Sequence, residues 1–327
     1  MRFFVAGLGS MGKRRVRNLQ ALGYSDITGH DIREDRNRES EQKYHIKTIA
    51  RYEDIKFQEY DALIVSVPPD VHNSYLRTAL QYKKPVFVEA SVILLGLPAI
   101  NSAAKQKKVL VAPSCTLKFH PAIKIIKEIV TKKTFGNVTN FVYHSGQYLP
   151  DWHPWEHVKN YYVSKKETGG GREIVPFELT WIMDILGAPQ KITGFFGRTM
   201  DVGARIDDTY AITMNFRGCF GVLLVDVVSR YATRRLTINL EDAQIVWEWD
   251  EPYIRLYDAR TKTWGKRQYQ KGKAVEGYNS NIIEDMYIEE IQAFINAMKR
   301  TGAFPNSLDD DIRVLKQLYK MEQEVVK

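Results

Sequence analysis

The sequence predicts an α/β fold in two parts: a doubly wound parallel sheet, then an α/β domain on a mostly antiparallel open sheet. Three observations predict it. Short apolar strands alternate with helical segments over the first 120 residues, as parallel βαβ units do. Runs rich in β-branched and aromatic residues follow one another at hairpin spacing between residues 192 and 257. The length of 327 residues suits two domains, placed at residues 1–120 and 121–327.

The first unit is the most explicit. The apolar run Phe3-Phe4-Val5-Ala6 leads straight into Gly7-Leu8-Gly9-Ser10-Met11-Gly12. A helical segment over residues 13–22 is closed by Gly23, and a short strand at residues 27–30 ends on Asp31. Strand, G-x-G-x-x-G turn, helix, strand and acid form the fingerprint of a dinucleotide-binding unit. The first glycine permits the tight turn, the second lets backbone approach a pyrophosphate, and the third lets the helix pack on the strand. The helix N-terminus adds N–H groups for the phosphates. Gly7, Leu8, Gly9, Ser10, Met11 and Gly12 are therefore candidate cofactor contacts. Asp31 would accept hydrogen bonds from the adenosine ribose, which favours NAD. Arg33 would pair with a 2′-phosphate and keeps NADP open.

A polar stretch to Lys43 reads as a loop or short helix, followed by a weak strand near residues 46–49. Residues 61–67 form a buried strand that ends on Pro68-Pro69-Asp70-Val71-His72. A helix over 71–82, a strand over 85–89, another helix and a strand over 109–112 complete the pattern. Ligands of such sheets bind beyond the C-terminal strand ends, so Val67, Pro68, His72, Glu89 and residues 114–116, with Thr116, should face the cofactor. Further helices are expected over 118–131, 172–186, 282–300 and 308–326. Strands are expected over 192–198, 209–216, 220–228, 236–240, 243–249 and 254–257.

Bulk properties narrow the function classes. With 44% hydrophobic and 26% charged residues, the chain reads as a soluble globular protein. The net charge of +8 is dispersed; its densest cluster, Lys13-Arg14-Arg15 with Arg17, reads as a solvated helix face. No nucleic-acid module accompanies it, so a preference for anionic small molecules is the most it implies. Cys115 and Cys219 have neither disulfide nor metal spacing, and Asp207-Asp208 lacks the neighbours a metal needs. No apolar run is long enough to span a bilayer, and Gly7 interrupts the apolar start too early for a signal peptide. A cytoplasmic protein with no metal, nucleic-acid or membrane partner is expected.

Four passages together resemble the Gfo/Idh/MocA family, the glucose–fructose oxidoreductases and inositol dehydrogenases. They are the glycine turn with Asp31, Val67-Pro68-Pro69-Asp70-Val71-His72, Lys118-Phe119-His120-Pro121, and Tyr148-Leu149-Pro150-Asp151-Trp152-His153-Pro154-Trp155 followed by Gly169-Gly170-Gly171. The resemblance implies a Rossmann domain, a C-terminal domain whose open sheet joins subunits into a homo-oligomer, and hydride transfer between NAD(P) and a sugar-type hydroxyl or keto carbon. It also implies a lysine in a Glu-Lys-Pro turn, assisted by Asp and His from the helix after the glycines. Here that turn reads Glu89-Ala90-Ser91, so Ala90 replaces the lysine. The Asp position falls on Ile174 or Val175, and the His position on Phe177 or Glu178.

A hydroxyl oxidised by hydride loss must also give up its proton, and general acid–base help is worth about a hundred- to ten-thousand-fold. The charges after Gly171 are the substitutes: Glu178 and Glu173 for proton transfer, and Arg172 to hold a polar or anionic substituent. His153 in its aromatic loop is a further candidate. Tyr161, Tyr162 and Lys118 are weaker, and His120 reads as structural. Two other readings stay open: a catalytically silent NAD-binding sensor or scaffold, and an epimerase or lyase that recycles NAD.

Overall fold

A computed structural model describes residues 1–153, 156–270, 272 and 283–323. They cluster as two units, Met1–Thr116 with Asp285–Ile312 and Leu117–Glu284 with Arg313–Lys327. In the first unit, β1 (Phe3–Ala6), α1 (Ser10–Ala21), β2 (Ile27–His30), α2 (Glu34–Tyr44) and β3 (Lys47–Thr48) come first. Then follow β4 (Ala62–Val65), α3 (His72–Gln81), β5 (Val86–Val88), α4 (Leu97–Lys107) and β6 (Val111–Pro113). The strands form a six-stranded sheet in the order β3-β2-β1-β4-β5-β6, with every pairing parallel. The order reverses between β1 and β4, which sets the glycine turn at the crevice where such sheets bind ligands.

Because β1 is central, all four of its residues are buried, and the run Phe3-Phe4-Val5-Ala6 has no polar position. The polar stretch after Asp31 is a full helix, α2, rather than a loop. Acidic Glu34 and Asp35 sit in its first turn and Lys43 in its last, matching the helix dipole. Ile291, Phe294 and Ile295, from a helix over Glu284–Met298, fill the core formed by Phe3, Val5, Leu19, Phe87 and Ala112. That late helix thus belongs to the first hydrophobic core.

In the second unit, α5 (Pro121–Lys132), β7 (Val138–Tyr148) and α6 (Gly171–Leu186) precede a run of strands. These are β8 (Lys191–Gly197), β9 (Thr209–Phe216), β10 (Cys219–Asp226), β11 (Val228–Leu240), β12 (Ala243–Glu248), β13 (Tyr253–Asp258) and β14 (Thr263–Gln268). With β7 they form an eight-stranded sheet, ordered β14-β13-β12-β11-β7-β10-β9-β8. The β7–β10 pair is parallel and the other pairs are antiparallel.

Alternation gives this sheet two different faces. Tyr143, Tyr210, Ile212, Leu223, Val225, Leu236 and Trp247 are buried on one, where α6 packs on β9 and β10. The other face exposes Val142, Phe195, Phe220 and Val222. The last described elements are α7 (Glu284–Met298) and α8 (Leu308–Gln323); position 282 and positions 324–326 of the expected helices lie outside the described residues.

The sequence expectations miss β7 and β14 and begin β11 eight residues late. In β7, Asn140, His144, Ser145 and Gly146 dilute the strand pattern. The residues of β14 are all exposed, so it has no buried face to announce it. The start of β11 is polar and carries a register shift between Val228 and Thr233.

Phe294 tests the docking of α7, since it is fully buried against Phe87, with ring centroids 5.9 Å apart. Phe294→Ala should lower the unfolding free energy by about 3–5 kcal/mol in urea titration, the usual cost of truncating a core phenylalanine.

Candidate functional site

The glycine turn has the clearances a dinucleotide cradle needs. Gly7 adopts φ +84°, and a Cβ there would lie 2.5 Å from the Ser66 carbonyl oxygen. A Cβ on Gly12 would lie 1.8 Å from the Gly7 carbonyl oxygen, so only glycine lets α1 start against the end of β1. Gly9 is more open, its nearest neighbour being the Arg36 guanidinium at 3.4 Å. The first N–H groups of α1 lack intrahelical acceptors, as at any helix start, and are left for phosphate oxygens. Asp31 closes the turn: its Oδ2 accepts from Leu8 N–H at 2.8 Å and its Oδ1 from Arg33 N–H at 2.9 Å. These residues fit an NAD-type group.

The predicted neighbours of the turn divide. Val67 and Pro68 are half-buried just past β4, as expected of residues that border a ligand. His72 is buried, and its Nε2 donates to the Val67 carbonyl oxygen at 2.8 Å. Burial also lowers its pKa, so His72 shapes the strand-end turn as a neutral side chain, and its buried Nδ1 has no hydrogen-bond partner. Thr116 is equally buried, and its hydroxyl donates to Glu290 Oε2 at 2.8 Å. The Arg33 guanidinium turns outward onto Asp35, with Nη2 2.6 Å from Oδ2.

Glu89 proves to be part of a buried charge network. Its carboxylate accepts from Arg15 Nε at 2.6 Å and Nη2 at 2.9 Å, and from Ser66 Oγ at 3.2 Å. The same Arg15 Nη2 lies 2.9 Å from Glu290 Oε2. Glu290 also accepts from Ser114 Oγ (3.0 Å) and Cys115 N–H (2.6 Å). Arg15 and Glu290 have no exposure. Against the desolvation of burial, Glu89 and Glu290 raise the Arg15 pKa and keep it charged. Burial pushes Glu290 up, opposed by Arg15.

The basic cluster on α1 is thus corrected: Arg14 and Arg15 are buried, although they sit in a run that reads as a solvated face. The signal that was present is spacing. Arg15 stands one residue before Val16 and four before Leu19, both on the buried side of α1.

In the second unit the two candidate carboxylates separate. Glu178 has no exposure, and four donors fill it: Ser145 Oγ (2.8 Å) and Arg234 Nε (3.0 Å) on Oε1, Tyr143 Oη and Trp181 Nε1 (both 2.9 Å) on Oε2. A carboxylate so occupied has no lone pair to offer an incoming hydroxyl, so it fixes α6 against β7 and β11. Arg172 is likewise committed. Its Nε and Nη2 fork onto Glu322 at 2.6 and 3.0 Å, and its Nη1 donates to the Glu167 carbonyl oxygen at 2.6 Å. Geometry therefore replaces the substrate-clamp reading of Arg172 with a tie between α6 and α8.

Glu173 differs. Tyr162 Oη donates to its Oε1 at 2.5 Å, while its buried Oε2 has no hydrogen-bond partner. Burial pushes its pKa up to about 7, partly offset by Tyr162. Tyr161 is close by, with a buried hydroxyl that lacks a partner; burial, then Glu173 and Glu156, raise its pKa. His153 packs on Tyr161 with ring centroids 4.6 Å apart. Glu173, Tyr162, Tyr161 and His153 thus form one cluster, while Pro154 and Trp155 of the same loop lie outside the described residues. A buried, under-satisfied carboxyl titrating near neutrality can take or give a proton there.

The remaining candidates are structural. Lys118 Nζ lies 3.4 Å from Asp184 Oδ1. His120 caps α5, accepting from Ala122 N–H at 3.2 Å, and stacks on Trp249. Burial, with Arg234 and Lys124, lowers its pKa to about 3. Asp208 accepts from the N–H groups of Thr199 and Met200. Among the described residues, no group of three or more His, Cys, Asp or Glu could hold a metal, and no helix is long and apolar enough to cross a membrane.

Residues 1–112 match the family described as "Oxidoreductase family, NAD-binding Rossmann fold", and residues 123–246 match the Gfo/Idh/MocA C-terminal domain. The chain belongs to the Gfo/Idh/MocA oxidoreductase family. No curated protein matches it. Similar solved structures include an oxidoreductase from Agrobacterium radiobacter in complex with NAD+, L-tartaric acid and magnesium (11% identity, TM-score 0.84, 99% of this chain and 95% of that one). A UDP-N-acetylglucosamine 3-dehydrogenase from Acidithiobacillus ferrooxidans shares 16% identity (TM-score 0.77, 99% and 97% coverage). A levoglucosan dehydrogenase in complex with NADH shares 14% (TM-score 0.83, 99% and 96% coverage). At these identities the likeness establishes the Gfo/Idh/MocA fold, while the family match makes the chain an NAD-binding oxidoreductase.

The Arg15 network should be essential to the first unit. Arg15→Met leaves Glu290 buried without its cation, and should cost about 3–5 kcal/mol of stability by urea unfolding.

Proposed function

We propose that the protein transfers a hydride between NAD(P) and a hydroxyl or keto carbon of a sugar or sugar derivative, with Glu173 as the proton-transfer group. The observation that carries this reading is the Glu173 carboxyl: one oxygen held by Tyr162, the other buried without a partner, and a pKa of about 7. Such a group is a good base and a good acid at once near neutral pH. It supplies the function that Ala90 cannot. The bound nicotinamide supplies or accepts the hydride. This chain's residues hold the dinucleotide on residues 7–12 and Asp31, and move the substrate hydroxyl proton to or from Glu173 Oε2. Tyr162 keeps Oε1 fixed, and His153 with Tyr161 provides an aromatic wall suited to the C–H face of a sugar ring. The sugar dehydrogenases among the similar structures support this substrate class.

The exposed sheet face supports a second element of the reading, a homo-oligomer formed through this sheet. Val142 pairs with Val222 across the β7–β10 ladder, and Leu224 pairs with Ala211, itself opposite Phe195. Phe195 is 73% exposed and Phe220 67%, an apolar patch that a second copy would cover.

Glu173→Gln should lower kcat for sugar oxidation by about a hundred- to ten-thousand-fold while leaving NADH affinity unchanged. In the unsubstituted protein the oxidation rate should rise through pH 7 as Glu173 loses its proton; the Gln variant should lack that limb. Stability carries the same signature. Because the folded pKa is raised, the contribution of Glu173 is complete below its unfolded value near 4.5 and lost as pH rises through about 7. Firm NADH binding without turnover on a broad panel of sugars and sugar acids would overturn the catalytic reading. For the sheet face, Phe220→Lys with Val222→Lys should convert the oligomer to monomer in light scattering, with the circular dichroism unchanged.

A further inference from the structure

The Glu173 cluster has polar neighbours that proton transfer does not use. Tyr148, Trp152, Tyr161 and Tyr162 pack against one apolar cluster that includes Leu149 and Val227. Trp152 Nε1 is buried there and has no hydrogen-bond partner. An indole nitrogen only donates, so its burial carries a cost that a ligand oxygen would remove. A guanidinium stands on the same cluster. Arg230 Cζ lies 3.9 Å from the centroid of the Tyr148 ring, and among the described residues no carboxylate pairs with it. The arginines that follow it on β11 are committed, Arg234 to Glu178 and Arg235 to Glu248. Stacking on a ring holds one face of a guanidinium and leaves its edge of N–H donors open.

The backbone fixes Arg230 in this place. The register of β11 on β7 shifts between Val228 and Thr233, and such irregularities re-aim the side chains they carry. Asp226 holds the chain entering the shift, its Oδ1 accepting from Val228 N–H at 3.1 Å and Ser229 N–H at 2.8 Å. His144 Nε2 lies 2.7 Å from Asp226 Oδ2. Leu149 N–H donates to the Val227 carbonyl oxygen at 3.1 Å, and Trp152 N–H to the Leu149 carbonyl oxygen at 3.1 Å. The loop that carries Trp152 is thus tied to the strand corner that carries Arg230.

We propose that the substrate carries an oxyanion, and that Arg230 and the Trp152 Nε1–H select it. This inference rests on the reading of the Glu173 cluster as the sugar site. A guanidinium edge and an indole N–H offer donors and no acceptor, and the charged donor gains most from a carboxylate or phosphate oxygen. Arg230 joins the cluster through Tyr148 and Glu173 through Tyr162, so the anion and the reacting hydroxyl are held by different residues.

The test is calorimetric titration into the NADH-loaded protein of glucose, galactose and mannose, each as the neutral sugar, its uronate and its 6-phosphate. At least one uronate or 6-phosphate should bind about tenfold or more tightly than its neutral parent, and which of the two does so names the source of the oxyanion. Arg230→Gln should remove that margin, the scale of one charge-assisted hydrogen bond, and leave the neutral parent within about threefold. Trp152→Phe keeps an aromatic ring and deletes the N–H; it should weaken the same anionic ligand by roughly three- to tenfold. Both variants are first checked for an unchanged unfolding midpoint. The inference is overturned if no anionic sugar of the panel binds more tightly than its neutral parent. It is equally overturned if either variant spares the anionic ligand, or weakens the neutral parent as much. Binding to the NADH complex is read without turnover, so that result leaves the proton-transfer role of Glu173 standing. A fully active Glu173→Gln variant would overturn that role and leave the Arg230 margin as it is.

Discussion

Arg15 has no exposure to solvent, and a guanidinium in that position is tolerable only because Glu89 and Glu290 face it. Through those two carboxylates it joins α1 to the ends of β5 and β6 and to α7. Ser66, which bonds to Glu89, is also the residue against which Gly7 and Gly12 pack. The clearances of the glycine turn and the buried charges therefore act on the same end of α1. The consequence is a helix N-terminus that is already in place before a phosphate arrives, so little ordering has to be done on binding.

The second unit uses buried charge differently. On α6, Glu173 and Glu178 stand five residues apart and meet opposite environments. Four donors surround Glu178, so it is spent on holding α6 to the sheet. Glu173 receives one donor and little water, and its proton is held up to about pH 7. Hydrogen bonds to a carboxylate favour its charged form, and desolvation opposes it; the difference between the two residues follows from that balance. A saturated carboxylate is held in place, and an unsaturated one keeps an acceptor to offer.

Much of the fold was legible in the chain because local pattern and tertiary role agree there. Residues 3–6, 27–30 and 209–216 are strands with the bounds that the apolar runs suggest. The strands that escaped notice are those whose neighbours, rather than whose residues, make them strands: β7 is held between β10 and β11, and β14 rides on β13. In the candidate site, Glu173 and His153 were chosen from residue type and position, and the fold brings them into one cluster through Tyr162 and Tyr161. Arg172 and Glu178 were also chosen for their charge, but their partners, Glu322 and Arg234, lie far away in the chain.

The sequence by itself determined that a dinucleotide binds, since the turn, its helix and Asp31 lie within thirty-one residues and their spacing carries the physical requirement. It also determined that the turn after β5 reads Glu89-Ala90-Ser91, which is a matter of one short stretch. Which charges are free to react was decided only by the tertiary structure. Reactivity depends on how many donors and how much water surround a carboxylate or guanidinium, and those neighbours arrive from distant segments. Arg15 looked solvated and is buried; Glu178 looked reactive and is saturated; Glu173 keeps one oxygen open.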